Sequence, residues 1–176
     1  GLDWGWPTPT ESDRFATVSA AAAERLPPKR FRSKKGWSLM LSDTGASHTV
    51  VPTKAGVHDY APCRIPIKIA NGTTVYTTGR GFRYLQPRDN PDVPLHTAAL
   101  ICAAMQSPTL SPHSVCHHRD EHGACRSNGN NFTAFGARGG FTPADGTLIR
   151  TQTRHKPPWL AGRFVDPPET TLHLPL

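Results

Sequence analysis

The segment Arg-Ile-Pro-Ile-Lys-Ile-Ala-Asn-Gly-Thr-Thr-Val-Tyr-Thr-Thr, residues 64–78, leaves the backbone few choices. Ile65, Ile67 and Ile69 recur at period two, which puts all three side chains on one face of an extended strand. Asn71-Gly72 suits the left-handed pair of a type I′ turn, and the β-formers that follow through Thr78 favour a returning strand. The segment reads as a β-hairpin. Short runs of this kind are the rule along the chain. With 18 Pro and 15 Gly in 176 residues, roughly a fifth of the positions interrupt regular structure, which favours many short strands over long helices. An all-β fold is expected. The length suffices for one core with extensions but not for two comfortable cores.

Residues 1–36 contain Pro7, Pro9, Pro27, Pro28 and an Ala-rich stretch from Ser19 to Leu26 long enough for two helical turns. Nothing there repeats with a core-forming period, so it reads as a linker or flexible arm. Its basic run, Lys29, Arg30, Arg32, Lys34 and Lys35, is the densest part of a net charge of +7. A solvated basic linker is the plain reading. The interleaved Phe31 makes single-stranded nucleic acid the partner such a run would take.

A folded domain is expected over residues 37–150. Gly36 to Leu41 reads as a buried strand and His48 to Pro52 as a second. Gly79 and Gly81 permit a bend or bulge, residues 86–94 form a loop, and the first half of residues 95–105 is a strand. Residues 132–150 offer short strands around Gly-rich turns, with Asp145-Gly146 as a second hairpin signal. Residues 151–176, Pro-rich and ending in an alternating apolar tail, read as an edge strand or connector. The chain begins at Gly1, has no apolar stretch of the roughly 18 residues a membrane crossing needs, and shows no signal-peptide core. It reads as an excerpt of a longer soluble product with no membrane partner. Cys63, Cys102, Cys116 and Cys125 are irregularly spaced, and reduced thiols are expected.

Leu-Met-Leu-Ser-Asp-Thr-Gly-Ala-Ser-His-Thr-Val-Val, residues 39–51, places Asp43 between two apolar runs. Asp43 is either a turn residue bonding its own loop or a carboxylate held at the floor of a cleft for acid/base work. The second role requires burial, a partner for the alternate protonation state and a rigid turn. The strand before it supplies burial, and Gly45 lets backbone approach the carboxylate. The chain holds one Asp-Thr-Gly; Asp145-Gly146 lacks the intervening hydroxyl residue. A second carboxylate comes most simply from a symmetric homodimer, with Asp43 of each subunit on the two-fold axis. His48 reads as a polar loop residue. Cys116, His117, His118, His122 and Cys125 are five possible zinc ligands in ten residues. They lack the usual Cys-x2-Cys pair, and a solvated His-rich loop is the plainer reading. No metal site is assigned and no cofactor is implied.

The segment Leu-Ser-Asp-Thr-Gly-Ala-Ser-His-Thr-Val-Val resembles the active-site segment of the retropepsin-type aspartic proteases, in particular that of copia-type retrotransposon Pol polyproteins, where Asp-Ser/Thr-Gly-Ala-Ser/Thr is followed closely by His. Residues 65–81 resemble that family's strand, Asn/Asp-Gly and Gly-x-Gly. Residues 95–115 resemble its Leu-x-x-Val/Ala-Leu stretch and the Asn-Leu-Leu-Ser-Val after it, here Ser111-Pro112-His113-Ser114-Val115. Asp-Glu-His-Gly at 120–123, Asp-Gly-Thr-Leu-Ile at 145–149 and the closing residues follow in the order in which such a polyprotein runs towards its pre-integrase region. The resemblance covers residues 37–176. It implies a small retropepsin-like acid-protease barrel, one lobe per chain, that dimerises across its active site. The implied activity is aspartic endopeptidase processing of its own Gag-Pol polyprotein, in the cytoplasm within retrotransposon particles. Asp43 is then catalytic, Thr44 locks the two loops together, and Gly45, Ala46 and Ser47 support the loop. Asn71, Gly72, Gly79 and Gly81 mark the candidate flap. The family's late apolar-apolar-Gly segment, which packs beneath the catalytic loop, has no legible copy here. Two alternatives of other classes stand: a polyprotein fragment that keeps the fold for a structural role only, and a zinc- or nucleic-acid-binding module using residues 116–125.

Overall fold

Leu39, Met40 and Leu41 are all buried, and their alternation divides the core. They lie on strand β2 (Ser38–Ser42) of a computed structural model that describes residues 16–18, 36–69, 72–105, 107–133, 139–151 and 159–167. Met40 points into a cluster with Leu85, Leu95, Leu110 and Leu160, while Leu39 and Leu41 point the other way against Trp159 and Ala161. A strand covered on both faces reads as a continuous apolar run, as this one does.

The all-β expectation is met, and the strands close into a barrel. Its order is β15 (Trp159–Val165), β2, β9 (Thr109–Leu110), β3 (Thr49–Val51), β8 (Leu95–Ile101) and β7 (Gly79–Pro87), with β15 returning to pair with β7. Closure leaves β4 (His58–Pro62) as an outer strand on the first half of β7, while β15 takes the second half. Strand β15 manages this by changing partners midway. Residues 159–162 pair with β2 and residues 162–165 with β7, so Gly162 faces both Ser38 and Pro87. A Cβ on Gly162 would lie 2.9 Å from the Gln86 carbonyl oxygen, closer than side-chain carbon tolerates, which is why glycine occupies the crossing. The stretch after residue 150, expected as an edge strand or connector, thus contributes the strand that closes the barrel.

The connection order of β2, β9 and β3 positions everything that follows. Strands β2 and β3 are consecutive in sequence but do not pair. Strand β9 lies between them, parallel to β2 through Leu41↔Thr109 and Ser42↔Leu110 and antiparallel to β3 through Val50↔Thr109. Strand β3 then runs parallel to β8. A single helical turn, α1 (Pro112–Cys116), leaves β9 and inserts Val115 and Cys116 into the Met40 cluster. Phe141 and Ile149 enter the same cluster from a small sheet of β12 (Asn131–Thr133), β13 (Gly140–Thr142) and β14 (Ile149–Arg150). Asp145-Gly146 lies in the β13–β14 turn, with Gly146 at φ +82° and its N–H donating to the Pro143 carbonyl at 2.9 Å. The Ala-rich stretch and the basic run of the arm lie outside the described residues. Of the arm, Ala16–Val18 forms β1, which pairs in parallel with β5 (Pro66–Ile69). Among the described residues no helix is long and apolar enough to cross a membrane.

On the β4–β7–β8 face the rings of His58, Phe82, Tyr84 and His96 stack, with Tyr84 and His96 centroids 4.3 Å apart. Burial, and secondarily the neighbouring His58, pushes the His96 imidazole down to about 3. A base whose folded value is lowered binds its proton more readily in the unfolded chain. Stability is therefore full above the unfolded value of about 6.5 and is lost as pH falls from there towards 3, by at most about 1.4 kcal/mol per pH unit. Urea midpoints in chelator-containing buffer should fall between pH 7 and pH 4, and His96→Gln should flatten the decline. Parallel pH profiles for the two proteins would contradict this account.

Candidate functional site

Strand β2 ends by delivering Asp43 to the mouth of the gap that β9 occupies. The Asp43 N–H donates to the Leu110 carbonyl at 2.9 Å, extending the β2–β9 ladder by one rung beyond the strand. The chain then turns at once. The Ala46 N–H donates to the Asp43 carbonyl at 3.0 Å, and the Gly45 N–H donates to Asp43 Oδ1 at 2.9 Å. Asp43 therefore bonds its own turn and is also buried, at 7% exposure. The two readings of this residue coincide in one geometry. A Cβ on Gly45 would lie 3.2 Å from Asp43 Oδ1, so glycine is what lets the amide reach the carboxylate. Thr44 and Gly45 are exposed at the tip, while Ala46 turns inward against Val50, Ile67, Leu100 and Met105.

Below the turn lies a chain of buried hydroxyls. Ser111 Oγ donates to the Ala46 carbonyl at 2.8 Å and accepts from the Ser114 N–H at 3.2 Å, capping α1 with Pro112 at its first position. The Ser111 N–H donates to Thr49 Oγ1 at 3.1 Å, and Thr49 Oγ1 lies 2.9 Å from Thr97 Oγ1. Thr97 spends its own proton on the Ala98 carbonyl at 2.9 Å, which leaves Thr49 as the donor to Thr97. Every hydroxyl proton in the chain is thereby assigned. Ser111, Thr49 and Thr97 are each 0% exposed, where a satisfied network is rigid and a broken one is costly. Ser114 Oγ also reaches the Ser47 carbonyl at 3.3 Å, and Ser47 Oγ sits 2.8 Å from Nδ1 of the buried His48.

Residues 109–111, which brace the Asp43 loop, carry no strand signal in the sequence. Two residues of strand have no period to detect. The usable signal was Ser111-Pro112 ahead of apolar Val115, a cap followed by proline at the first helical position. Proline and histidine at 112 and 113 do not disturb the packing there, because Pro112 starts α1 and Val115 is fully buried.

The hairpin forms where expected, with β5 paired to β6 (Thr74–Tyr76) in the register Ile67↔Val75. Its base is fastened to the Asp43 loop, since Ile67 is 0% exposed in the Ala46 and Val50 cluster and Cys63, Ile65 and Val75 pack on the same group. Gly72 near its tip has φ +91° and open space around it; Asn71 lies outside the described residues. Gly79 and Gly81 do not belong to the hairpin. They lie within the nine-residue β7, paired with Ile101 and Ala99. A Cβ on Gly79 would collide with the Tyr60 ring, and one on Gly81 with Val57 and the His58 carbonyl. The glycines serve the close approach of β4, which bulges against β7 opposite Gly81 between His58 and Ala61, so the bulge and not the bend is what occurs here.

The five cysteines and histidines of residues 116–125 do not converge. Cys116 faces the core, where burial pushes its thiol up to about 11, whereas Cys125 is exposed. They fall on either side of a hairpin of β10 (His117–Arg119) and β11 (Cys125–Ser127). His118 Nδ1 bonds Asn128 Oδ1 at 2.6 Å, and His117 stacks on His113. Asp120 fixes the hairpin turn by accepting from Arg126 Nε and the Ala124 and His122 amides, which together hold its carboxyl below the usual range. Among the described residues no group of three or more His, Cys, Asp or Glu side chains is placed to hold a metal ion.

Ser111→Ala removes the cap and orphans the buried Ala46 carbonyl, at an expected cost of about 2–4 kcal/mol, read as a lowered urea midpoint. A midpoint unchanged from the parent protein would show that the hydroxyl chain does not hold the loop. Comparison of the chain with family models, with curated proteins and with solved structures returned no match.

Proposed function

We propose that this chain is one half of an aspartic endopeptidase, completed by a second copy whose Asp43 meets the first across a two-fold axis. The observation that carries the reading is the placement of Asp43. It is a buried carboxylate at the end of a barrel strand, on a turn tied to the barrel from beneath, next to an exposed Thr44-Gly45 tip. A rigid loop of this kind can bring two carboxylates together without either collapsing away from the other.

Two carboxyl groups a few Å apart cannot both ionise cheaply, so the pair retains one proton. The ionised member takes a proton from water as the water oxygen attacks a peptide carbonyl carbon. The protonated member donates to the carbonyl oxygen. Collapse of the tetrahedral intermediate returns a proton to the leaving nitrogen and breaks the C–N bond. In this reading Thr44 meets its counterpart at the tip, Gly45 and Ala46 form the floor, Ser47 braces the outgoing chain, and the 65–78 hairpin covers substrate. The substrate class is an extended polypeptide, the chain's own precursor, cut in the cytoplasm within retrotransposon particles. The resemblance of residues 39–51 to the copia-type segment supports that assignment. The zinc alternative gains no support from residues 116–125, whose side chains diverge. Polyprotein piece with a structural role only is the rival that shares this fold.

Purified chain should cleave an unstructured polypeptide at mildly acidic pH and be blocked by a statine-type mimic of the tetrahedral intermediate. Asp43→Asn should lower kcat/KM by about a thousandfold or more. Equal cleavage by that variant would overturn the catalytic role, and a folded parent protein that leaves substrate intact would favour the structural role.

A further inference from the structure

His58 and His96 lie on the β4–β7–β8 face and take no part in the proposed cleavage. Their Nε2 atoms are 3.1 Å apart. Two imidazole nitrogens at about 2.0–2.1 Å from one metal are separated by about 2.9 Å at a right angle and about 3.3 Å at the tetrahedral angle. The observed spacing falls between these limits, so one ion can be reached by both nitrogens once the ring planes tilt from hydrogen-bonding each other to facing a common point.

Two further observations point the same way. His58 Nδ1 lies 3.3 Å from Asp59 Oδ2, which places the His58 proton on Nδ1 and leaves the Nε2 lone pair facing His96, as in carboxylate–histidine–metal arrangements. Asp59 itself has φ +52°, the one positive-φ non-glycine residue among the described residues, where β4 slips register against β7 between His58 and Ala61. Strained backbone and bulges of this kind collect at ligand sites. The rings are held by stacking, His58 and His96 on each other at 5.1 Å and both on Tyr84.

We propose that His58 and His96 form a two-histidine site for a borderline divalent transition metal of the zinc, nickel and copper class, oriented by Asp59. Without metal, the His96 Nε2–H donates to His58 Nε2. On binding, that proton moves to His96 Nδ1 and both Nε2 lone pairs face the ion, so no net proton is released at neutral pH. Two protein donors make an exchangeable site rather than a closed structural one.

The test is titration of the full chain, free of any histidine tag, with Cu2+ or Zn2+ by calorimetry, with electron paramagnetic resonance of bound Cu2+. One equivalent should bind at micromolar concentrations with coupling to two imidazole nitrogens. His58→Ala and His96→Ala should abolish it. Asp59→Asn, which tolerates the same left-handed backbone, should weaken it about tenfold or more and remains informative if a histidine variant fails to fold. Absence of binding would overturn the proposal. So would binding that persists in folded His58 and His96 variants, or that disappears instead with His113→Ala or His117→Ala, since it would then belong to the other surface histidines.

Discussion

Thr109 and Leu110 separate two strands that follow one another in sequence, and most of the structure depends on that insertion. Because β9 occupies the space between β2 and β3, the chain from residue 43 to residue 48 has to pass over the end of β9. The passage is short, so it turns tightly. Ser111, at the point where β9 ends, closes the arrangement by bonding upward to Ala46, sideways to Thr49 and forward to the first turn of α1. The loop that presents Asp43 is thereby braced by hydrogen bonds made 60 or more residues away in sequence, between buried groups.

How much of this was legible depended on whether a local pattern had room to show itself. The hairpin of residues 64–78 was readable because alternation, turn chemistry and β-formers agree over its whole length. Strand β2 was readable as an apolar run, and Asp43 as its terminus. Strand β9 was not, since two residues carry no period. Strand β15 was obscured differently, because the residues around it are Pro-rich, and its role is set by two distant edges, β2 and β7, that only the closed sheet brings together. Gly79 and Gly81 were recognised as positions with a special requirement. The requirement proved to be contact with Tyr60 and Val57 across a strand pair, which neighbouring residues do not disclose. The Cys/His segment offered five possible ligands by spacing, but the solvated-loop reading was the plainer one, and the β10–β11 hairpin sends the side chains apart.

The proposed chemistry and the fold make opposing demands on pH. A carboxylate pair that keeps one proton is favoured by acid, whereas the ring stack on the β4–β7–β8 face keeps His96 neutral and is penalised by acid. With the ring stack on β4, β7 and β8 and Asp43 at the β2–β9 end, the two can be altered independently.

The central claim is that one Asp43 loop is half of a site. It is tested most directly by mixing parent and Asp43→Asn chains at a fixed total concentration, under conditions that let subunits exchange, and measuring peptide cleavage. If both carboxylates are needed, a one-to-one mixture retains about a quarter of the activity of the unmixed parent, the statistical share of dimers with two intact loops. Retention of about half, in simple proportion to the parent chain present, would show that each chain acts alone and would contradict the account.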